Sequence, residues 1–228
     1  MKSKKYALPS QGKGDAAHAL VRSCLGAIPF AGTASVELFS AVVTPPLVKR
    51  QHEWMERVGD ALLNLESFLD VDLESLKSDE KFIDIVLQSS HIALRTSQES
   101  KIEALKNAVI NSALDLSPDE SIKHMFLGCL DFFTPWHIKL LAFLDSPYAA
   151  TTESNNVETW QFIEREFLEL ADRKDFYDLL GKDLYNRALI NNANFGSRPN
   201  GGLPRSKTTN LGSEFLNFIR PPREYKNA

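Results

Sequence analysis

The chain has 228 residues, 43% of them hydrophobic and 25% charged, with a net charge of -4. That composition supplies a sizeable core and excludes disordered and collagen-like chains. Two cysteines, Cys24 and Cys129, are too few for a disulfide scaffold or a cysteine-ligated zinc finger, and the acidic balance excludes the whole chain as a general nucleic-acid binder.

Charge is unevenly spread. Residues 1–172 hold 16 basic and 25 acidic side chains, whereas residues 173–228 hold 10 and 5. A basic C-terminal quarter on an acidic body points to an anionic partner there, or to the body itself. Residues 1–14 are basic without an apolar run, which predicts a tail and not a secretory signal. The expected location is the cytoplasm, with both thiols reduced.

Residues 23–48 contain a single charge, Glu37. Pro29, Gly32 and Pro45-Pro46 divide them into pieces too short to cross a bilayer alone. The pattern predicts two short helices, 16–28 and 33–43, hinged around Gly32. One reading buries them in the core against Trp54, Val58 and Leu62. The other makes them a conditional membrane-inserting hairpin, with Phe30, Gly32 and Phe39 as its key residues.

From Pro45 to Leu69, Trp54, Val58, Ala61, Leu65 and Phe68 form one apolar helical stripe, with the proline pair at its start. A second helix is expected to open at Ser78-Asp79-Glu80 and bury Phe82, Val86, Leu87 and Leu94. Thr96 to Glu99 fits a capping box for a third, carrying Ile102, Leu105 and Val109. Ser117-Pro118-Asp119-Glu120 starts a fourth, with Ile122, Phe126, Cys129 and Phe133 on one face, and Thr134-Pro135 starts a fifth. No segment before residue 190 alternates with the period of a strand. The expected class is therefore mainly α, with a tail at 1–14, a helical body at 15–133, a second module at 134–220 and a tail at 221–228.

In that second module a helix with Phe176, Leu179, Leu180 and Leu184 ends at Leu189-Ile190. A stretch rich in Gly, Pro and Asn follows, with Asn200-Gly201 suited to a hairpin tip. Thr209-Asn210-Leu211-Gly212 then leads into a short Phe-Leu helix at 214–219. This order resembles the winged-helix superfamily over residues 134–220. The resemblance implies helices at 136–145, 157–171 and 173–189, followed by a small β-hairpin wing. Winged helices place the third helix in the DNA major groove and the wing on the backbone. Here Asp175, Asp178 and Asp183 offset Arg173, Lys174, Lys182 and Arg187, so the expected anion or nucleic-acid contacts are on and near the wing: Arg187, Arg198, Arg205, Lys207, Arg220 and Arg223. The same architecture also serves as a protein-docking domain. Residues 101–114 (KIEALKNAVINSAL) and 133–141 (FTPWHIKLL) resemble an uncharacterised bacterial protein family.

No phosphate-binding loop, dinucleotide fingerprint or nucleophile elbow is present. His52 and Glu56 share a helix face but lack the second histidine of a zinc protease. His91, His124 and His137 each stand alone on helices, and both cysteines fall in apolar contexts. The expectation is a non-enzymatic binding or adaptor protein with no metal or cofactor. Its expected partners are nucleic acid through the wing, a protein partner or a second copy. The alternative is a membrane-acting effector of defence or toxin type, using residues 16–43.

Overall fold

The computed structural model describes residues 34–69, 71–114, 118–145, 159–195 and 207–222, with only the backbone at 34–45, 68 and 69. Among these residues the fold is helical. Helix α1 spans Ala34–Leu69, α2 Leu73–Leu76, α3 Glu80–Arg95, α4 Glu99–Ala113 and α5 Glu120–Phe132. After these come α6 Pro135–Asp145, α7 Thr159–Glu166, a 3-10 turn at Leu168–Leu170, α8 Lys174–Asn186 and α9 Asn210–Ile219.

Helix α1 corrects an expectation. Its 36 residues run unbroken through Pro45-Pro46, so the prolines lie inside the helix. Proline holds φ near a helical value, which lets the helix pass, but each ring removes one backbone donor. The segment from residue 34 to 48 therefore belongs to the same helix as Trp54, Val58 and Leu62, and it does not fold back on them. Those three residues are buried against α3 and α4 instead. Trp54 Nε1 donates to Ser90 Oγ at 2.8 Å, and Arg50 donates to the Leu94 carbonyl at 3.3 Å, so α1 and α3 are antiparallel. Residues 1–33, with Phe30 and Gly32, lie outside the described residues. Among the described residues no helix is long and apolar enough to cross a membrane.

The starts of the next helices follow local hydrogen-bond chemistry. Asp79 caps α3 by accepting from the Lys81 and Phe82 amides, one residue into the expected Ser78-Asp79-Glu80 signal. The capping box expected at α4 does not form. Thr96 Oγ1 accepts from the Gln98 amide at 3.1 Å, and the Glu99 carboxylate pairs with Arg57 on α1, so both capping groups are already engaged. Asp119 caps α5 through the Ser121 amide. Helices α3 and α5 run parallel, tied by Lys81–Glu120 at 3.5 Å, Gln88–His124 at 2.7 Å and Arg95–Asp131 at 2.9 Å.

The C-terminal part corrects a second expectation. The winged-helix (α+β) class with its β-hairpin wing gives way to an arrangement with no strand among the described residues. They contain one isolated antiparallel bridge, Ile190 with Thr208, and residues 196–206 lie outside them. The flanks bond to each other around that bridge, the Asn191 amide to the Lys207 carbonyl at 2.9 Å and the Thr209 amide to the Leu189 carbonyl at 3.0 Å, and beyond it they use their backbone groups on neighbours. The Lys207 amide donates to the Leu144 carbonyl, and the Phe195 carbonyl accepts from the Trp160 amide, both at 3.1 Å. Asn192 Oδ1 accepts from the Asn194 amide at 2.7 Å, the local turn that asparagine favours over a ladder. Phe195 then buries its ring against Gly181, where an added Cβ would lie 2.4 Å from that ring.

Helix α9 ties this part to the rest of the chain. Thr209 Oγ1 accepts from the Gly212 amide at 3.0 Å and donates to the Ala188 carbonyl at 2.6 Å. A Cβ on Gly212 would meet the Leu189 carbonyl oxygen at 2.1 Å, so only glycine allows the helix to start on the end of α8. Phe126 on α5 packs against Phe215 and Phe218 with centroids 5.2 and 5.8 Å apart. Asn107 and Asn111 on α4 are buried and donate to the carbonyls at the end of α9.

Candidate functional site

The basic residues expected to meet an anion divide into two groups. Arg198, Arg205 and Arg223 lie outside the described residues. Arg187, Lys207 and Arg220 have partners within the fold. The Arg187 guanidinium sits 4.4 Å from the Phe132 ring centroid and 5.5 Å from that of Phe133. Lys207 Nζ lies 5.7 Å from the Phe195 ring, and burial pushes its pKa down from 10.5. Arg220 pairs with Asp145 at 3.3 Å. Phe39 falls within α1, where only its backbone is described.

The titratable groups beside Arg187 are chemically quiet. His137 is buried and stacked on Phe133 at 4.8 Å. Its Nδ1 accepts from the Thr134 amide at 3.1 Å, which puts the ring proton on Nε2, 3.3 Å from Asp183 Oδ2. Burial pushes His137 below its ordinary value of 6.5, and Asp183 offsets only part of this. The ring is thus neutral at pH 7, with both nitrogens engaged between the start of α6 and α8. Burial also raises the Cys129 thiol despite Arg187 beside it, the opposite of what a nucleophilic cysteine needs.

Two clefts flank α4. One of about 310 Å³ is lined by Arg57, Asp60, Asn64, Lys106 and Pro221-Pro222, and its cations are paired, both with Glu103. The other, about 290 Å³, lies beside buried Lys101, which donates to the Asp131 carbonyl at 2.8 Å while Arg95 takes the Asp131 carboxylate.

The outward face of α8 has a different character. Leu179 and Tyr185 are 54% and 50% exposed, with Lys182 between them. Phe132, 54% exposed, is brought to the end of the same helix by Arg187. Leu168, 78% exposed, sits on the 3-10 turn that packs against α8. Most of the large apolar side chains that the described residues leave in solvent are therefore on α8 or on elements touching it. Leu179 thus faces outward where the sequence pattern places it with the apolar face, and Phe132 has a position that pattern does not indicate. Helical phase carries the missing signal, because Leu179 falls one residue off the Tyr177, Leu180 and Leu184 stripe that is buried.

One further set of groups converges at the surface. A ligand atom from each of Asp84, Glu120 and His124 lies within 4.8 Å of the others across α3 and α5. His124, solitary in the sequence, has these partners in space. Comparison with protein-family models, curated proteins and solved structures finds no match to the chain.

Proposed function

We propose that the chain is a non-enzymatic adaptor that docks a protein partner on the outward face of α8. The observation that carries this reading is that Leu168, Leu179, Tyr185 and Phe132, four large apolar side chains left in solvent, lie on α8 or on elements that touch it or its end. Aromatic side chains on an otherwise polar surface are the composition of interface anchors. Single exposed apolar residues need no explanation, but a concentration of them around one helix favours an interaction surface. Two further observations support it. Arg187, Lys207 and Arg220 have partners within the chain, which leaves less charge for a polyanion. His137 and Cys129 are held in unreactive states.

The test is a photo-crosslinking residue placed at Leu179 or Tyr185 of the full chain in its own cells, with Lys139 as the control position. The expected result is one dominant protein adduct from α8 and none from residue 139. Absence of a protein adduct, together with saturable duplex DNA binding at low salt, would replace this reading with a nucleic-acid one.

A further inference from the structure

We infer that Asp84, Glu120 and His124 form a binding site for a first-row transition-metal dication of the zinc type, bridging α3 and α5. This site is separate from the α8 face and does not depend on that reading. Glu120 and His124 are four residues apart on α5 and so share one face. Asp84 and Gln88 have the same spacing on α3, and the two helices run parallel, so Asp84 comes level with Glu120 and Gln88 with His124. The ligand atoms lie within 4.8 Å of one another. Metal–ligand bonds of about 2.0–2.2 Å place facing ligands about 4 Å apart at most, so small side-chain rotations complete the approach.

Gln88 adds an observation from outside the ligand set. Its Oε1 lies 2.7 Å from His124 Nδ1. A carbonyl oxygen can only accept, so Nδ1 carries the proton and the ring's free lone pair is on Nε2. This is the outer partner that metal-bound histidines use to fix tautomer and orientation. One imidazole with two carboxylates suits zinc, nickel, cobalt or copper better than magnesium or calcium, which prefer oxygen alone. Three protein ligands leave the remaining positions to water. Asp84 is exposed, and Glu120 and His124 are half-buried, so an ion has a path of entry. Lys81 Nζ, 3.5 Å from Glu120, is the cation that a metal displaces.

The experiment is isothermal titration of zinc chloride into chelator-treated full-length protein, with a parallel melting-temperature measurement. The wild type should bind one equivalent saturably and melt higher with zinc present. Asp84→Asn and His124→Ala should each weaken binding, and Gln88→Ala should weaken it by about 10–100-fold through loss of ring orientation. Lys81→Met should tighten it by removing the competing charge. His52→Ala, which breaks the exposed His52–Glu56 pair on α1, should leave it unchanged. Asp84 is exposed, so its variant stays informative if the His124 variant fails to fold. No saturable zinc binding by the wild type, or binding unchanged in Asp84→Asn, would overturn the site.

Discussion

Helix α9 hides its apolar side chains, while α8, which precedes it in the chain, shows several of its own. Phe215, Leu216, Phe218 and Ile219 of α9 are all buried, and the helix's last carbonyls are taken by asparagines on α4. Helix α8 buries Tyr177, Leu180 and Leu184 yet leaves Leu179 and Tyr185 half in water. The contrast separates a helix that is packed on its apolar side chains from one that is only partly so. Side chains on α9 hold the C-terminal part to the body, whereas the outer side chains of α8 bury little apolar surface, as the proposed docking role requires.

Substitutions can break or sharpen that contrast. The largest effect is expected from Phe126→Ala, which empties the space against Phe215 and Phe218 and should lower unfolding free energy by about 3–5 kcal/mol in urea titration. Asn111→Ala comes next. Asn111 Nδ2 lies 3.2, 2.8 and 2.9 Å from the Asn217, Phe218 and Arg220 carbonyls. Its loss leaves them without that donor and should cost about 1–3 kcal/mol, with faster amide exchange across α9. Ala188→Gly should act in the opposite direction. Ala188 ends α8 at φ 57, a left-handed conformation that glycine adopts without a Cβ penalty. A gain of about 1 kcal/mol in chemical denaturation is expected.

His137 supplies a pH-dependent prediction. Its folded pKa lies below the ordinary value because of burial. Below 6.5 the unfolded chain therefore takes up a proton that the folded chain resists. The His137 contribution is complete above that value and is lost as the pH falls through it towards the folded pKa. Melting temperature should drop between about pH 7 and 5, and the drop should shrink in His137→Gln. The smallest effect belongs to the double variant Leu179→Ser, Tyr185→Ser, whose stability should stay within about 0.5 kcal/mol of wild type. A large loss there would mean that α8 is a structural face after all.

Much of the helical pattern was legible because burial follows period. Trp54, Val58, Ala61 and Leu65 lie on the predicted stripe and are all buried, as are Phe126, Cys129 and Phe133. Helix starts were legible where one short side chain caps its own turn, as at Asp79. They were misread where a distant partner intervened, as when Arg57 took Glu99 from the α4 cap. The wing failed for a related reason. Turn-rich composition announces a loop, but the Phe195 carbonyl and the Lys207 amide at its described ends bond to Trp160 and Leu144, contacts that local sequence does not reveal. Glu120 and His124 could have been paired from their spacing alone, whereas Asp84 is a tertiary neighbour that local sequence does not reveal.

The proline pair inside α1 has a kinetic consequence. Without amide donors at Pro45 and Pro46, the carbonyls of Ala41 and Val42 have no partner four residues on. Helix growth from the packed half must skip two successive bonds there. The turns before the pair, about 11 residues, are shorter than the roughly 12–15 that sustain an isolated helix in water. Helix formation in that stretch must therefore nucleate separately from the rest of α1. A contact that covers its apolar residues would add directly to its helicity while leaving the bundle beyond Arg50 undisturbed.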